Sequence, residues 1–151
     1  MSMKKTSVLC LYVVVVFNLI TIEAALAKTQ QIKPREIKMD TNFNGVVNRV
    51  EVYDKNKVII RVEADTSADG KMNEWVYYKN GNPDRAEKDT NGDGKPDTFL
   101  TYDDKGKTIK SETDTNGDGK IDEWVYYEKG NITKAEKDTN GDGKPDTWLA
   151  Y

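Results

Sequence analysis

The chain has 151 residues, enough for about one domain, with 23 basic and 26 acidic side chains, no histidine and one cysteine, Cys10. Charges of both signs are interspersed and no basic run occurs, which removes the electrostatic footprint of a nucleic-acid or anionic-membrane binder. The lack of histidine also removes the commonest general base and the commonest transition-metal ligand.

Residues 1–27 have the layout of a cleaved secretory signal. Lys4 and Lys5 precede an apolar run of 15 residues from Val8 to Ile22, broken by Asn18 and Thr21, and Ala25-Leu26-Ala27 offers small residues for cleavage. The run falls short of the roughly 20 residues a membrane span needs. The mature chain is therefore expected to begin at Lys28, to be secreted or periplasmic, and not to span a membrane. Removing Lys4, Lys5 and Glu23 leaves 21 basic and 25 acidic residues. Cys10 leaves with the signal, so no disulfide can hold the exported chain. A small exported domain without disulfides needs another staple, and a metal ion is the expected one. Residues 28–39 (KTQQIKPREIKM) are polar with one proline and read as a linker.

Residues 40–151 read as a repeat domain. The phrase Asp-Thr-Asn-Gly-Asp-Gly-Lys-x-Asp starts at Asp89, Asp114 and Asp138, with looser copies at Asp40 and Asp65, at intervals of 24 or 25 residues. Each copy continues with a five-residue aromatic segment such as Glu123-Trp124-Val125-Tyr126-Tyr127, a Gly turn, and a second segment such as Ile132–Lys137. Short segments rich in Trp, Tyr, Val and Phe favour strands over helices. In the second segment Lys110, Glu112, Lys134 and Glu136 alternate with Ile109, Ser111, Thr133 and Ala135, a period of two that presents a charged face. The turns at Lys79-Asn80-Gly81-Asn82 and Asp103-Asp104-Lys105-Gly106 suit hairpins in which Gly adopts a positive φ. The expected fold class is all-β: about five hairpin repeats, in an antiparallel meander or solenoid-like array with the Asp-rich loops between hairpins.

Counting each loop from its first Asp, Trp75, Phe99, Trp124 and Trp148 share position 11, while Tyr53, Tyr78, Tyr102, Tyr127 and Tyr151 share position 14. An odd separation places the two sets on opposite faces of a strand, each face receiving a ladder of stacked aromatics from successive repeats. The fifth copy stops after its first segment at Tyr151. That strand is expected to be an open edge that recruits a second copy, as a homo-oligomer, or a surface partner.

Each loop places oxygen side chains at positions 1, 3, 5 and 9 with Gly at 6, the arrangement by which a chain wraps a hard divalent cation, Ca2+ above all. In chain order the candidate ligands are Asp40, Asn42, Asn44 and Asn48 in the first loop, and Asp65, Ser67, Asp69 and Asn73 in the second. The third loop offers Asp89, Asn91, Asp93 and Asp97. The fourth offers Asp114, Asn116, Asp118 and Asp122, and the fifth Asp138, Asn140, Asp142 and Asp146. The carbonyl of position 7, such as that of Lys120, would add a backbone ligand.

Across positions 1 to 9 this pattern resembles the calcium loop shared by EF-hands, dockerins and thrombospondin type 3 repeats. The resemblance implies the ligand positions and not a helix–loop–helix. Position 12, where an EF-hand has a bidentate Glu, holds Val76, Leu100, Val125 and Leu149, with an acid only at Glu51. The missing ligand is expected from water, from Glu74 and Glu123 at position 10, or from Glu63, Glu87, Glu112 and Glu136 two residues before each loop. The hairpin unit is similar to the YD repeats of Rhs-type bacterial surface proteins, through Tyr53-Asp54 and Tyr102-Asp103. At the corresponding places Tyr78 and Tyr127 are followed by Lys79 and Glu128.

The resulting expectation is a secreted, non-catalytic structural or interaction repeat protein that binds Ca2+ and is ordered by it. The competing expectation is a surface carbohydrate- or protein-binding adhesin that uses exposed aromatics, Trp75, Trp124 and Trp148.

Overall fold

Side chains along the aromatic segments alternate strictly enough, and the turns between them are short enough, that every segment pairs with its sequence neighbours. The structure, a computed structural model, describes residues 35–151; the signal at 1–27 and the first part of the linker lie outside the described residues. Strands β1 (Arg35–Met39), β2 (Arg49–Tyr53), β3 (Ile59–Ala64), β4 (Glu74–Lys79) and β5 (Asn82–Lys88) are followed by β6 (Thr98–Tyr102), β7 (Thr108–Thr113), β8 (Glu123–Glu128), β9 (Asn131–Lys137) and β10 (Thr147–Ala150). They form one ten-stranded antiparallel sheet in chain order, an open meander. The all-β hairpin array is thus as expected. One boundary differs: Arg35–Met39, read from sequence as linker, pair with β2 from Arg35 opposite Tyr53 to Met39 opposite Arg49. No helix among the described residues is long and apolar enough to cross a membrane.

Two kinds of connection alternate. Asp-rich loops of nine residues join β1 to β2, β3 to β4, β5 to β6, β7 to β8 and β9 to β10, so all five lie along one end of the sheet. The opposite end carries tight turns of two designs. Asn80-Gly81 and Lys129-Gly130 are two-residue turns with both residues at positive φ (53° and 83°; 51° and 85°), the type I′ geometry that matches strand twist. The turns after Tyr53 and Tyr102 are wider. There Asp54 and Asp103 accept two backbone amides each through Oδ1, from Asn56 and Val58 and from Lys105 and Lys107. The Tyr-Asp pairs therefore mark the turns that need an aspartate cap, and the strands ending in Tyr-Lys or Tyr-Glu take the shorter turn.

The register corrects the expected aromatic ladders. Position 11 aromatics do not stack on one another. Trp75 lies opposite Glu63 and Glu87, Phe99 opposite Glu87 and Glu112, Trp124 opposite Glu112 and Glu136, and Trp148 opposite Glu136. Successive rings in this row are two strands, or roughly 9–10 Å, apart. The next row on the same face alternates Tyr77 and Tyr126 with basic side chains. Arg85 sits 4.0 Å from the centre of the Tyr77 ring, and Lys134 and Lys110 sit 5.1 and 5.6 Å from that of Tyr126. The rows are linked along each strand by ion pairs: Arg61–Glu63 at 2.7 Å, Arg85–Glu87 at 3.5 Å, Lys110–Glu112 at 2.7 Å and Lys134–Glu136 at 2.6 Å.

The other face carries the apolar row Val62, Val76, Ala86, Leu100, Ser111, Val125, Ala135, Leu149 in consecutive strands. With a single layer the rings stay half-exposed, and among the described residues the buried apolar ones are three small side chains, Val52, Val62 and Ala86. Lysine and arginine stems lying over the rings supply cover that a second layer would otherwise give.

The turn Lys129-Gly130 holds a lysine at φ 51° where Asn80 serves in the equivalent turn. A residue with a longer side chain is disfavoured in this left-handed region relative to Asn. Lys129→Asn is expected to raise stability by about 0.5 kcal/mol, read as a higher thermal midpoint by circular dichroism. A lower midpoint would contradict the turn assignment.

Candidate functional site

The five Asp-rich loops share one backbone path, set by amide donors that must find acceptors at the end of the sheet. In each loop the N–H of position 9 closes the ring onto the carbonyl before position 1, as Asp97 N donates to Lys88 O at 2.9 Å and Asp122 N to Thr113 O at 3.0 Å. Position 1 then uses both carboxylate oxygens. Asp89 accepts from Gly92 N at 2.7 Å and Gly94 N at 2.8 Å; Asp114 accepts from Gly117 N and Gly119 N, and Asp138 from Gly141 N and Gly143 N. Asn91 at position 3 accepts from Asp93 N, and Asp93 at position 5 accepts from Lys95 N through Oδ1. The same two bonds recur at Asn116 and Asp118, and at Asn140 and Asp142. In these three loops the amides of positions 4, 5, 6 and 7 are all engaged by side chains of their own loop.

Position 9 has a different partner. Its side chain accepts from both the N–H and the hydroxyl of the threonine at position 2. For Asp97 the distances are 2.8 Å from Thr90 N and 2.8 Å from Thr90 Oγ1, with Thr98 Oγ1 and Asn91 N completing its shell. Thr41 with Asn48, Thr66 with Asn73, Thr115 with Asp122 and Thr139 with Asp146 repeat the staple. Threonine stands at position 2 in all five copies, a signal that attention to metal ligands alone passes over. The second overlooked signal is position 4. Gly92, Gly117 and Gly141 have φ between 75° and 79° there, whereas Phe43 and Ala68 adopt 60° and 62° with a Cβ.

Successive loops are joined to one another. Position 1 N–H of each later loop donates to the position 9 carbonyl of the loop before: Asp65 N to Asn48 O, Asp89 N to Asn73 O, Asp114 N to Asp97 O and Asp138 N to Asp122 O, at 2.8 to 2.9 Å. A cleft of about 170 Å³ lies between the second and third loops, lined by Ser67, Asp69, Asn73, Asp89 and Asn91 among others.

The most buried polar side chains of the described chain are loop aspartates: Asp89, Asp97, Asp122 and Asp138, each 5% exposed, and Asp65. Burial opposes ionisation of Asp97, but the hydroxyl and amide of Thr90 with the Thr98 hydroxyl outweigh it and hold the pKa below the ordinary 3.8. Asp65 is lowered in the same way, burial being overcome by the amides of Gly70 and Ala68. For Asp146 the Thr139 hydroxyl is the leading cause of a lowered pKa.

All the candidate ligands lie on these loops, but among the described residues no three carboxylates gather around a point that could hold a metal ion. Positions 1, 3 and 5 supply oxygens along the loop interior, and an oxygen that accepts one amide retains a second lone pair. The position 7 carbonyls of Val46, Lys71, Lys95, Lys120 and Lys144 accept no backbone hydrogen bond in these loops. Position 9 is committed to threonine. The acids that could complete a cation shell are committed as well. Glu74 and Glu123 at position 10 face Lys88 at 4.0 Å and Lys137 at 3.5 Å, and Glu63, Glu87, Glu112 and Glu136 lie on the sheet in the ion pairs above. Glu51 accepts from Arg49 at 2.9 Å and from the Tyr53 hydroxyl, and its pKa is lowered by the Tyr53 hydrogen bond first and Arg49 second.

No described protein family matches the sequence, and no curated protein matches it. Among solved structures, part of the accessory secretory protein 1, 2 and 3 structure from Streptococcus pneumoniae is similar in fold, at 14% identity and TM-score 0.51 over 73% of this chain and 20% of that one. A TarM variant from S. aureus aligns at 14% identity and TM-score 0.38 over 77% of this chain and 23% of that one. A second TarM structure aligns at 15% and 0.36 over 72% and 22%. This chain spans about a fifth of the length of the proteins it resembles, and the likeness is one of fold.

Because the folded-state pKa values of Asp65 and Asp97 lie below their ordinary value, the stability these groups confer is present above about pH 4 and is lost as pH falls through the folded-state values. Thr90→Val removes a hydroxyl donor to a buried carboxylate and is expected to cost about 2 kcal/mol. Acid unfolding followed by circular dichroism in chelator should then move to higher pH in Thr90→Val; an unmoved acid midpoint would mean that the threonine staple contributes nothing.

Proposed function

We propose that this is a non-catalytic repeat scaffold, exported from the cell, whose edge loops take up Ca2+ and are tightened by it. The observation that carries this reading is the row of five loops with one ring closure, of which the third, fourth and fifth turn carboxylate and amide oxygens of positions 1, 3 and 5 inward beside a position 7 carbonyl free of the backbone ladder. A donor set made wholly of oxygen, in a chain without histidine, suits a hard cation such as Ca2+ and not a transition metal. Asp89, Asn91 and Asp93, with the Lys95 carbonyl, would hold the ion in the third loop. Asp114, Asn116, Asp118 and Lys120, and Asp138, Asn140, Asp142 and Lys144, would do so in the fourth and fifth.

The ion would bring positive charge to the position 1 carboxylates, of which Asp89 and Asp138 are buried, and to the exposed carboxylates of position 5, and water would fill the rest of its coordination shell. With few protein oxygens per ion the affinity is expected to be about 10⁻⁴–10⁻³ M, the range of extracellular modules. The first loop has one carboxylate, Asp40, and is the poorest site. The aromatic-platform alternative has less in its favour: Trp75 and Trp124 sit half-buried between charged neighbours, and Trp148 alone among the tryptophans is exposed.

At Ca2+ a hundredfold above its dissociation constant each filled loop should add about 2.7 kcal/mol, seen as a rise in thermal midpoint over the same protein in chelator. Equal midpoints would sink the reading. The triple change Asp93→Asn, Asp118→Asn, Asp142→Asn keeps the Oδ1 acceptor for the position 7 amide. It should leave the midpoint in chelator nearly unchanged while removing most of the calcium-induced rise. A rise of full size in that variant would show that the ion binds elsewhere.

A further inference from the structure

The two edges of the sheet, β1 and β10, are unpaired on their outer sides among the described residues. Inside the row every junction between loops is closed by a position 1 amide and a position 9 carbonyl. Among the described residues two groups of this series have no such partner: the amide of Asp40 and the carbonyl of Asp146. They sit at opposite edges of the sheet, beside β1 and β10 respectively.

The strands at those edges differ in the same complementary sense. β10 reads Thr-Trp-Leu-Ala without a charge, and Trp148, Leu149 and the following Tyr151 are 61%, 55% and 78% exposed. Natural sheets usually protect an edge with charge, proline or a bulge, and β10 has none of these. β1 reads Arg-Glu-Ile-Lys-Met, and among the described residues no strand pairs with its outer side. It also inverts the charge order of the other odd-numbered strands. Lys38 stands where Glu63, Glu87, Glu112 and Glu136 stand, and Glu36 stands where Arg61, Arg85, Lys110 and Lys134 stand.

We propose that copies of this chain associate head to tail, β10 of one copy pairing antiparallel with β1 of the next, so that sheet and loop row continue across the junction. In the register by which β4 meets β5, Trp148 would face the partner copy's Lys38, Leu149 its Ile37, and Ala150 its Glu36. That sets a cation beside the exposed Trp148 ring and extends the apolar row of Leu149 by one isoleucine. Asp40 N–H would then find the carbonyl of Asp146 as its internal counterparts do. The contact is heterologous, with different surfaces on the two copies, so it propagates and does not close into a dimer. The inference does not rest on calcium.

Sedimentation velocity of the purified protein over a concentration series tests it. The expected result is a mean mass above that of one chain which grows with concentration; a single-chain mass throughout would overturn the proposal. Leu149→Lys blocks one edge and Ile37→Lys the other, and both sites are on edge strands. Each variant alone should remain a single chain, whereas an equimolar mixture should give a species of two chains and nothing larger. Association of Ile37→Lys that equals that of the unaltered protein would point to symmetric β10–β10 pairing and overturn it. A mixture that stays at single-chain mass would do the same. Tyr151 N donates inward to Thr133 O, so strand alternation turns the Ala150 amide outward. Ala150→Pro therefore removes an edge donor without touching the internal ladder, and it should abolish association while the circular dichroism of the folded sheet is retained.

Discussion

Everything in this structure depends on one requirement: the backbone amides of five tight loops at the end of a single-layer sheet must find acceptors. In the third, fourth and fifth loops four consecutive amides, positions 4 to 7, turn to the inside of a nine-residue ring where no strand can reach them. The side chains of positions 1, 3 and 5 meet them, and position 1 does so with both oxygens of one carboxylate. A buried carboxylate without donors would be costly, and so would a buried amide without an acceptor. Each removes the other's penalty. This is why the least exposed polar residues of the described chain are aspartates while its buried apolar residues number three.

The glycines follow from the same requirement. To aim the amides of positions 4 and 6 at one carboxylate, the chain must turn through positive φ at both places. Gly92 and Gly94 do so at 79° and 89°. The loop formula is thus a backbone solution first, whatever ion it later admits. With the loop ends fixed, the strands that leave them are held in register without a packed second layer. Both faces can then remain wet, and their residues are chosen for cross-strand neighbours: ring beside carboxylate in one row, ring beside cation in the next. Such pairs contribute a few tenths of a kcal/mol to about 1 kcal/mol each, and the repeat multiplies them.

Much of this was legible in the residues. The interval of the Asp-rich phrase, the aromatic segments and the Gly turns suffice for an all-β meander of hairpins, and that is the observed sheet. What did not follow was register. Positions 11 and 14 fall on opposite faces, but a repeat interval does not say that the strand between two aromatic strands inserts Glu87 between Trp75 and Phe99. Pairing decides that, and pairing depends on loop closure at position 9, which counting along the chain does not reveal. The linker boundary failed for a related reason: Arg35-Glu36-Ile37-Lys38-Met39 lacks the aromatic signature of a strand and becomes one because β2 offers it a ladder. Position 2 threonine was visible in every copy, yet its meaning lies in a bond to a residue seven places on.

The same geometry accounts for the departure from an EF-hand loop. In each repeat the strand begins at position 10, with Arg49, Glu74, Thr98, Glu123 and Thr147 as first strand residues. Position 12 is therefore already the third residue of a strand, and in the later four repeats it belongs to the apolar row of Val76, Leu100, Val125 and Leu149. A bidentate glutamate there would point along the sheet face and away from the loop. The loop is consequently divided into a closing staple, positions 2 and 9, which is complete without any ion, and the oxygens of positions 1, 3, 5 and 7, where acceptor capacity remains. An ion bound to such a loop meets a backbone already shaped for it. Its effect would be to stiffen the junction between hairpins, since the elements that flank it are strands locked into one continuous sheet and have no second packing to swing into.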